Sequence, residues 1–168
     1  DLGASVELGA PSMRRISETF AWRGNKPLAT NDCMASEVAI RPKDGPAWTL
    51  EVRAFNDGAA FRYRLPGTGT RQVQGEATVW QIPANSTLWV QTDTDDYEGN
   101  YHAVRADQVP LEETIENKKR PTHIGPPMTV VYPDGTFGLI SEAALFRYSG
   151  LTLRPQGGAK FHAAFEDD

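Results

Sequence analysis

Apolar and polar residues alternate along Trp48-Thr-Leu-Glu-Val-Arg-Ala-Phe55, placing Trp48, Leu50, Val52 and Ala54 on one face and Thr49, Glu51 and Arg53 on the other. A period of two is the mark of a strand with one covered face, and it makes Trp48 a core residue. Asn56-Asp57-Gly58 comes next, residues that tolerate the positive φ angles of a tight primed turn. The chain then returns through Ala59 to Leu65, with Phe61, Tyr63 and Leu65 opposed to Arg62 and Arg64, and Pro66-Gly67 ends the strand. Arg15 to Trp22 and Met34 to Arg41 alternate less regularly around turn chemistry at Gly24-Asn25-Lys26-Pro27, and predict a second strand pair. Thr78 to Ile82 and Leu88 to Gln91 read as short strands, and Met128 to Tyr132 with Thr136 to Ser141 as a hairpin about Pro133-Asp134-Gly135. Leu151 to Leu153 and Phe161 to Phe165 close the set. Pro110 to Arg120, rich in Glu and Lys, is open to two readings, a short helix or a solvated loop. Many short strands and no long helical period predict an all-β fold, a two-sheet antiparallel β-sandwich formed by residues 1–168 as a single domain.

Composition narrows the function more than the fold. A net charge of −5 argues against nucleic acid as a partner, because binding phosphates needs a clustered excess of Lys and Arg. Cys33 is alone, which rules out an intrachain disulfide and a zinc site built on several cysteines. His102, His123 and His162 match no metal motif by spacing. No run of about 18 apolar residues is present, so no membrane-spanning helix is expected. The opening Asp-Leu-Gly-Ala-Ser is neither an initiator Met nor a signal peptide, and the chain reads as a processed or excised piece.

Three strings carry a family resemblance. Glu51 to Pro66, with its Asn-Asp-Gly turn and Ala-Phe-Arg-Tyr strand, resembles the N-terminal domain of glycoside hydrolase family 97, and a related hairpin occurs in family 31 enzymes. Tyr97-Glu98-Gly-Asn-Tyr101 resembles the family's Tyr-Glu-x-x-Tyr element. Ile140-Ser-Glu142-Ala-Ala-Leu-Phe-Arg-Tyr-Ser-Gly150-Leu-Thr-Leu resembles its Ile-x-Glu-Ala-x-Leu-x-x-Tyr-x-Gly-Met-x-Leu signature, with Leu151 in place of the usual Met. The segment Thr92 to Asp96 lacks the Trp often found before the Tyr-Glu pair.

The resemblance implies a super-sandwich domain, incomplete at its N-terminal edge, from a periplasmic, calcium-dependent exo-α-glucosidase or α-galactosidase. Its partners would be the catalytic (β/α)8 barrel of the same polypeptide and an α-linked oligosaccharide substrate. The resemblance also implies that one glutamate of this domain joins the Ca2+ site on the barrel, and Glu142 matches it. The competing reading of Glu142 is an exposed strand-edge carboxylate. Tyr97, Glu98 and Tyr101 are candidate substrate-binding residues, since aromatic faces pack on sugar rings. The competing reading buries the tyrosines in an interdomain interface and pairs Glu98 with Arg105. An EF-hand at Asp93, Asp95 and Asp96 fails, because position six is Glu98 where Gly is needed and position twelve is Val104 where Glu is needed. No catalytic residue is expected in this chain. In the resembled family the acid and base carboxylates sit on the barrel, so the isolated chain is expected to be inactive. The reading from a different class is an independent carbohydrate-binding module with its own aromatic platform, for which Trp22, Trp80 and Trp89 remain open.

Overall fold

The computed structural model describes residues 2, 3, 5–94, 96 and 98–165. The chain divides into two compact units, Asp1–Arg71 and Gln72–Asp168.

The first unit is one antiparallel sheet of β1 (Val6–Leu8), β2 (Ser12–Ala21), β3 (Leu28–Pro42), β4 (Trp48–Ala54) and β5 (Ala59–Arg64). β3 is long enough to take β1 and β2 end to end on one edge and β4 on the other. Both strand pairs expected from the sequence form. The turn between β4 and β5 is closed by the Phe55 amide donating to the Gly58 carbonyl at 2.8 Å, and none of Asn56, Asp57 and Gly58 takes the positive φ of the primed turn expected there. The alternating pattern sorts this sheet into two chemically distinct faces. Trp48, Leu50, Val52, Phe61 and Tyr63 share one face with Met34 and Met13. Glu37, Glu51, Arg53, Arg62 and Arg64 share the other.

Trp48 is not the core residue its pattern suggests. It is half-buried, its ring meets Tyr63 edge to face at 5.6 Å, and its indole N–H donates to the Leu2 carbonyl at 3.2 Å. A sheet buries an apolar face only beneath a second layer, and all five strands of this unit lie in one sheet. Leu8, Met13, Met34 and Phe61 are correspondingly exposed.

On the polar face Arg62 donates to Glu51 at 2.5 Å, and Arg64 reaches Glu51 at 3.2 Å and Glu37 at 2.9 Å. The hydrogen bond from Arg62, helped by the neighbouring arginine charges, holds the Glu51 carboxyl below the ordinary glutamate value of 4.5, although burial pushes the other way. The Glu51 side chain is only 14% exposed, which limits screening by solvent. A depressed carboxylate stabilises the fold above its unfolded value and loses that contribution as pH falls through the folded value. Thermal melts between pH 7 and pH 3 are expected to show part of the acid destabilisation disappear in Glu51→Gln. An unchanged pH profile would mean that the pair contributes nothing to stability.

The second unit has two layers. One sheet runs β12 (Phe137–Ile140), β11 (Met128–Val131), β7 (Thr87–Val90), β8 (His102–Arg105), and the other runs β13 (Leu151–Pro155), β14 (Lys160–Phe165), β6 (Val79–Gln81). Leu88, Val90, Met128 and Val130 from the first meet Leu153 and Phe161 from the second, with Ile82, Ala106, Ile124 and Ala159 filling the core. Asp134 tightens the turn between β11 and β12 by accepting from the Thr136 amide at 3.0 Å and hydroxyl at 2.7 Å. Those bonds hold its carboxyl below the usual range.

Pro110 to Arg120 is neither helix nor irregular loop. It forms a two-stranded ribbon of β9 (Glu112–Ile115) and β10 (Lys118–Pro121). Glu116 and Asn117 both take positive φ, 50° and 64°, the geometry of a primed two-residue turn. The high helix propensity of Glu and Lys hides this turn, and pairs such as Arg120 opposite Glu113 supply cross-strand attraction that a helix reading does not anticipate. No helix among the described residues is long and apolar enough to cross a membrane.

Candidate functional site

Every neighbouring pair in the sheet β12-β11-β7-β8 is antiparallel, so β7 and β12, which flank β11, point the same way. The segments that leave β7 and β12 therefore emerge at one end of the sheet. After β7 comes the loop 91–101 with Glu98 and Tyr101, and after β12 comes Glu142. Two strand spacings, about 10 Å, separate the two exits.

A chain of hydrogen bonds joins them. The Gly125 amide donates to the Gln91 carbonyl at 3.0 Å, and Ile124 and Leu153 exchange two backbone bonds of 2.9 Å. The Leu151 amide donates to both carboxylate oxygens of Glu142 at 3.2 Å. His123 Nδ1 lies 2.9 Å from Thr152 Oγ1 and braces the same stretch.

Glu142 is half-buried and stands two residues beyond Ile140. Its carboxylate folds back onto the start of β13, while lone pairs not used by Leu151 remain on both oxygens. The loop beyond it holds Ala144 and Arg147 at φ 56°, the left-handed region that non-glycine residues rarely enter, with Leu145 and Phe146 exposed.

Glu98 and Tyr101 are exposed, and the Glu98 amide donates to Asp96 Oδ1 at 3.0 Å. Tyr97 and Asp95 lie outside the described residues. Arg105 is not the partner of Glu98. It makes a bidentate pair with Asp107, at 3.0 and 2.8 Å, which holds the Asp107 carboxyl below its ordinary value.

Gln91 is a residue that no sequence motif singles out. It is fully buried at the base of the loop with its side-chain carbonyl unpaired, next to Gly99. A Cβ on Gly99 would lie 2.6 Å from the Asp93 Cβ and 3.2 Å from Gln91 Oε1. Gly99→Ala is therefore expected to force the Glu98 segment off its neck. Amide shifts confined to residues 91–101 would show this, and an unshifted spectrum would contradict the close approach.

Among the described residues no three His, Cys, Asp or Glu side chains gather as a metal site. One carboxylate does not hold a hard cation that takes about six to eight oxygens. On the outward face of the same sheet Phe137, 75% exposed, and Leu139, 63% exposed, lie with Val131 and the half-open Trp89, and Thr87, Thr129 and Arg105 share that face. Trp22 and Trp89 are exposed, whereas Trp48 meets Tyr63 edge to face and Trp80 packs on the core.

The family described as Glycosyl-hydrolase 97 N-terminal matches residues 1–166. The chain belongs to that family. The all-β, antiparallel sandwich expected from the sequence is the family's fold. A family 97 enzyme from Pseudoalteromonas sp. strain K8 in complex with acarbose superposes with a TM-score of 0.80 over 96% of the chain, at 19% identity. A beta-arabinopyranosidase superposes with a TM-score of 0.71 over 95% of the chain, at 18% identity. The chain covers 24% and 27% of those two proteins. In sequence it is 27% identical over 160 residues to a probable retaining alpha-galactosidase of Streptomyces bingchenggensis. It is 29% identical over 117 residues to a retaining alpha-galactosidase of Bacteroides thetaiotaomicron. Those matches cover 94% and 67% of the chain, but only 23% and 17% of the relatives.

Proposed function

We propose that the chain is the accessory N-terminal domain of a calcium-dependent exo-α-glycosidase, packing on a catalytic barrel and lending it the Glu142 carboxylate. The observation that carries this reading is that the segments bearing Glu142 and Glu98–Tyr101 leave the sheet β12-β11-β7-β8 at the same end. A partly covered carboxylate with spare lone pairs, beside an exposed loop, is suited to complete a site whose other ligands come from a partner surface. Ca2+ would supply charge stabilisation there. Glu142 would hold it, Leu151 would orient the carboxylate, and Tyr97, Glu98 and Tyr101 would touch an α-linked sugar. The exposed Phe137 and Leu139 support a docking face, since an interdomain surface is apolar where its partner sits. The relatives' names include α-galactosidase, so α-galactosides are the first substrates to try, and the periplasm is the expected location.

The test is hydrolysis of chromogenic α-galactosides and α-glucosides. The 168-residue chain is expected to be inactive and the polypeptide that includes the barrel active, with activity lost on chelation and restored by Ca2+. Saturable binding of the same sugars by the chain alone would favour the independent carbohydrate-binding module instead.

A further inference from the structure

The polar face of the first unit holds a shallow depression floored by Ala35 and walled by Arg14, Arg53, Arg62, Glu37 and Glu51. Strand register puts Arg14 and Arg53 on either side of Ala35 in one cross-strand row, with Glu37, Glu51 and Arg62 in the next. The two arginine backbones stand roughly 10 Å apart, two strand spacings. Ala35 between them has no long side chain to fill the gap. It is nevertheless only 7% exposed, as expected where arginine stems lie along apolar surface and leave their charged ends outside.

The charges of the depression do not balance. Glu51 is engaged by Arg62 and Arg64, and Glu37 by Arg64. Arg14 and Arg53 make no ion pair among the described residues, although Arg53 contributes to the field at Glu51. With Arg64, four guanidiniums line the depression against two carboxylates, in a chain whose net charge is −5. Guanidiniums are planar forks suited to two parallel bonds with an oxyanion, and remain charged at any working pH.

We propose that this depression is an oxyanion site that takes one sulfate or carboxylate group, free or carried on a sugar, between Arg14 and Arg53. The site is built from residues of the first unit alone and does not depend on the role given to Glu142.

Equilibrium dialysis of radiolabelled sulfate against the intact protein, at constant ionic strength balanced with chloride, tests it. One saturable equivalent is expected to disappear in the Arg14→Ala, Arg53→Ala double variant. Arg14→Lys with Arg53→Lys should keep that equivalent at about fivefold lower affinity, because the bidentate fork is lost while both charges stay; it also guards against loss by misfolding. Glucuronate and a sulfated monosaccharide are expected to displace the label, and the unsulfated sugar is not. Displacement by the sulfated sugar at much lower concentration than by free sulfate assigns the site to glycan-borne groups, and equal concentrations assign it to free anions. A double variant that binds as the parent does, or uptake abolished equally by chloride, overturns the proposal.

Discussion

Phe161→Ala is expected to destabilise the second unit by about 3–5 kcal/mol, the range for removing a large aromatic ring from a closed core. Phe161 is 0% exposed and sits on the central strand of its sheet, between Pro155 and Trp80 in the cross-strand row. Its ring meets the inward side chains of the facing sheet, where Leu88, Met128 and Val130 are also fully buried. The surrounding strands are tied by their ladders, so the cavity closes only in part, and its cost adds to the lost transfer free energy. Chemical denaturation followed by tryptophan fluorescence checks this. A change below about 1 kcal/mol would mean that the two layers do not share the core described.

Glu142 is expected to separate into a structural and a ligand role. Glu142→Ala leaves the Leu151 amide without its acceptor, a loss of about 1–3 kcal/mol where the group is shielded from water. Glu142→Gln keeps a side-chain carbonyl for that amide and removes only the negative charge. The alanine variant should therefore melt earlier than the parent and the glutamine variant close to it. If the carboxylate is a calcium ligand, both should weaken Ca2+ binding by the full-length polypeptide at least about tenfold, since a hard cation selects charged oxygen ligands. Equal melting of the two variants would remove the structural role. Loss of affinity in Glu142→Ala alone would mean that the alanine acts through the fold of residues 141–151 rather than through coordination.

The strands were readable where alternation was strong. Trp48 to Phe55 and the return strand to Arg64 appear as expected, as does the Met128 to Ile140 hairpin, but the turn at Asn56-Asp57-Gly58 is not the primed one its residues suggest. β1 and β8, three and four residues long, carry neither a clear alternation nor flanking hairpin chemistry to mark them. The ribbon at Glu112–Pro121 was hidden because its charged residues suit a helix and only Asn117 hints at the turn. Trp48 shows that periodicity assigns a side chain to a face without saying how well that face is covered. The site was legible only as separate strings. Glu98 and Glu142 lie 44 positions apart in the sequence, and the exit of both segments at one end of the sheet comes from β7 and β12 running parallel on either side of β11, a relation no local pattern contains. The pairing of Arg105 with Asp107 was missed because a partner two residues away is reached only when the chain turns after β8, as the 3-10 turn Ala106–Gln108 makes it do.

Calorimetric titration of Ca2+ into the isolated chain, the full-length polypeptide and its Glu142→Gln variant decides whether Glu142 is a calcium ligand. The expected result is no binding by the chain, tight binding by the full-length polypeptide and weakened binding by the variant with its melting temperature kept. Binding by the chain alone, or a variant that matches the full-length polypeptide, would contradict a calcium site shared through Glu142.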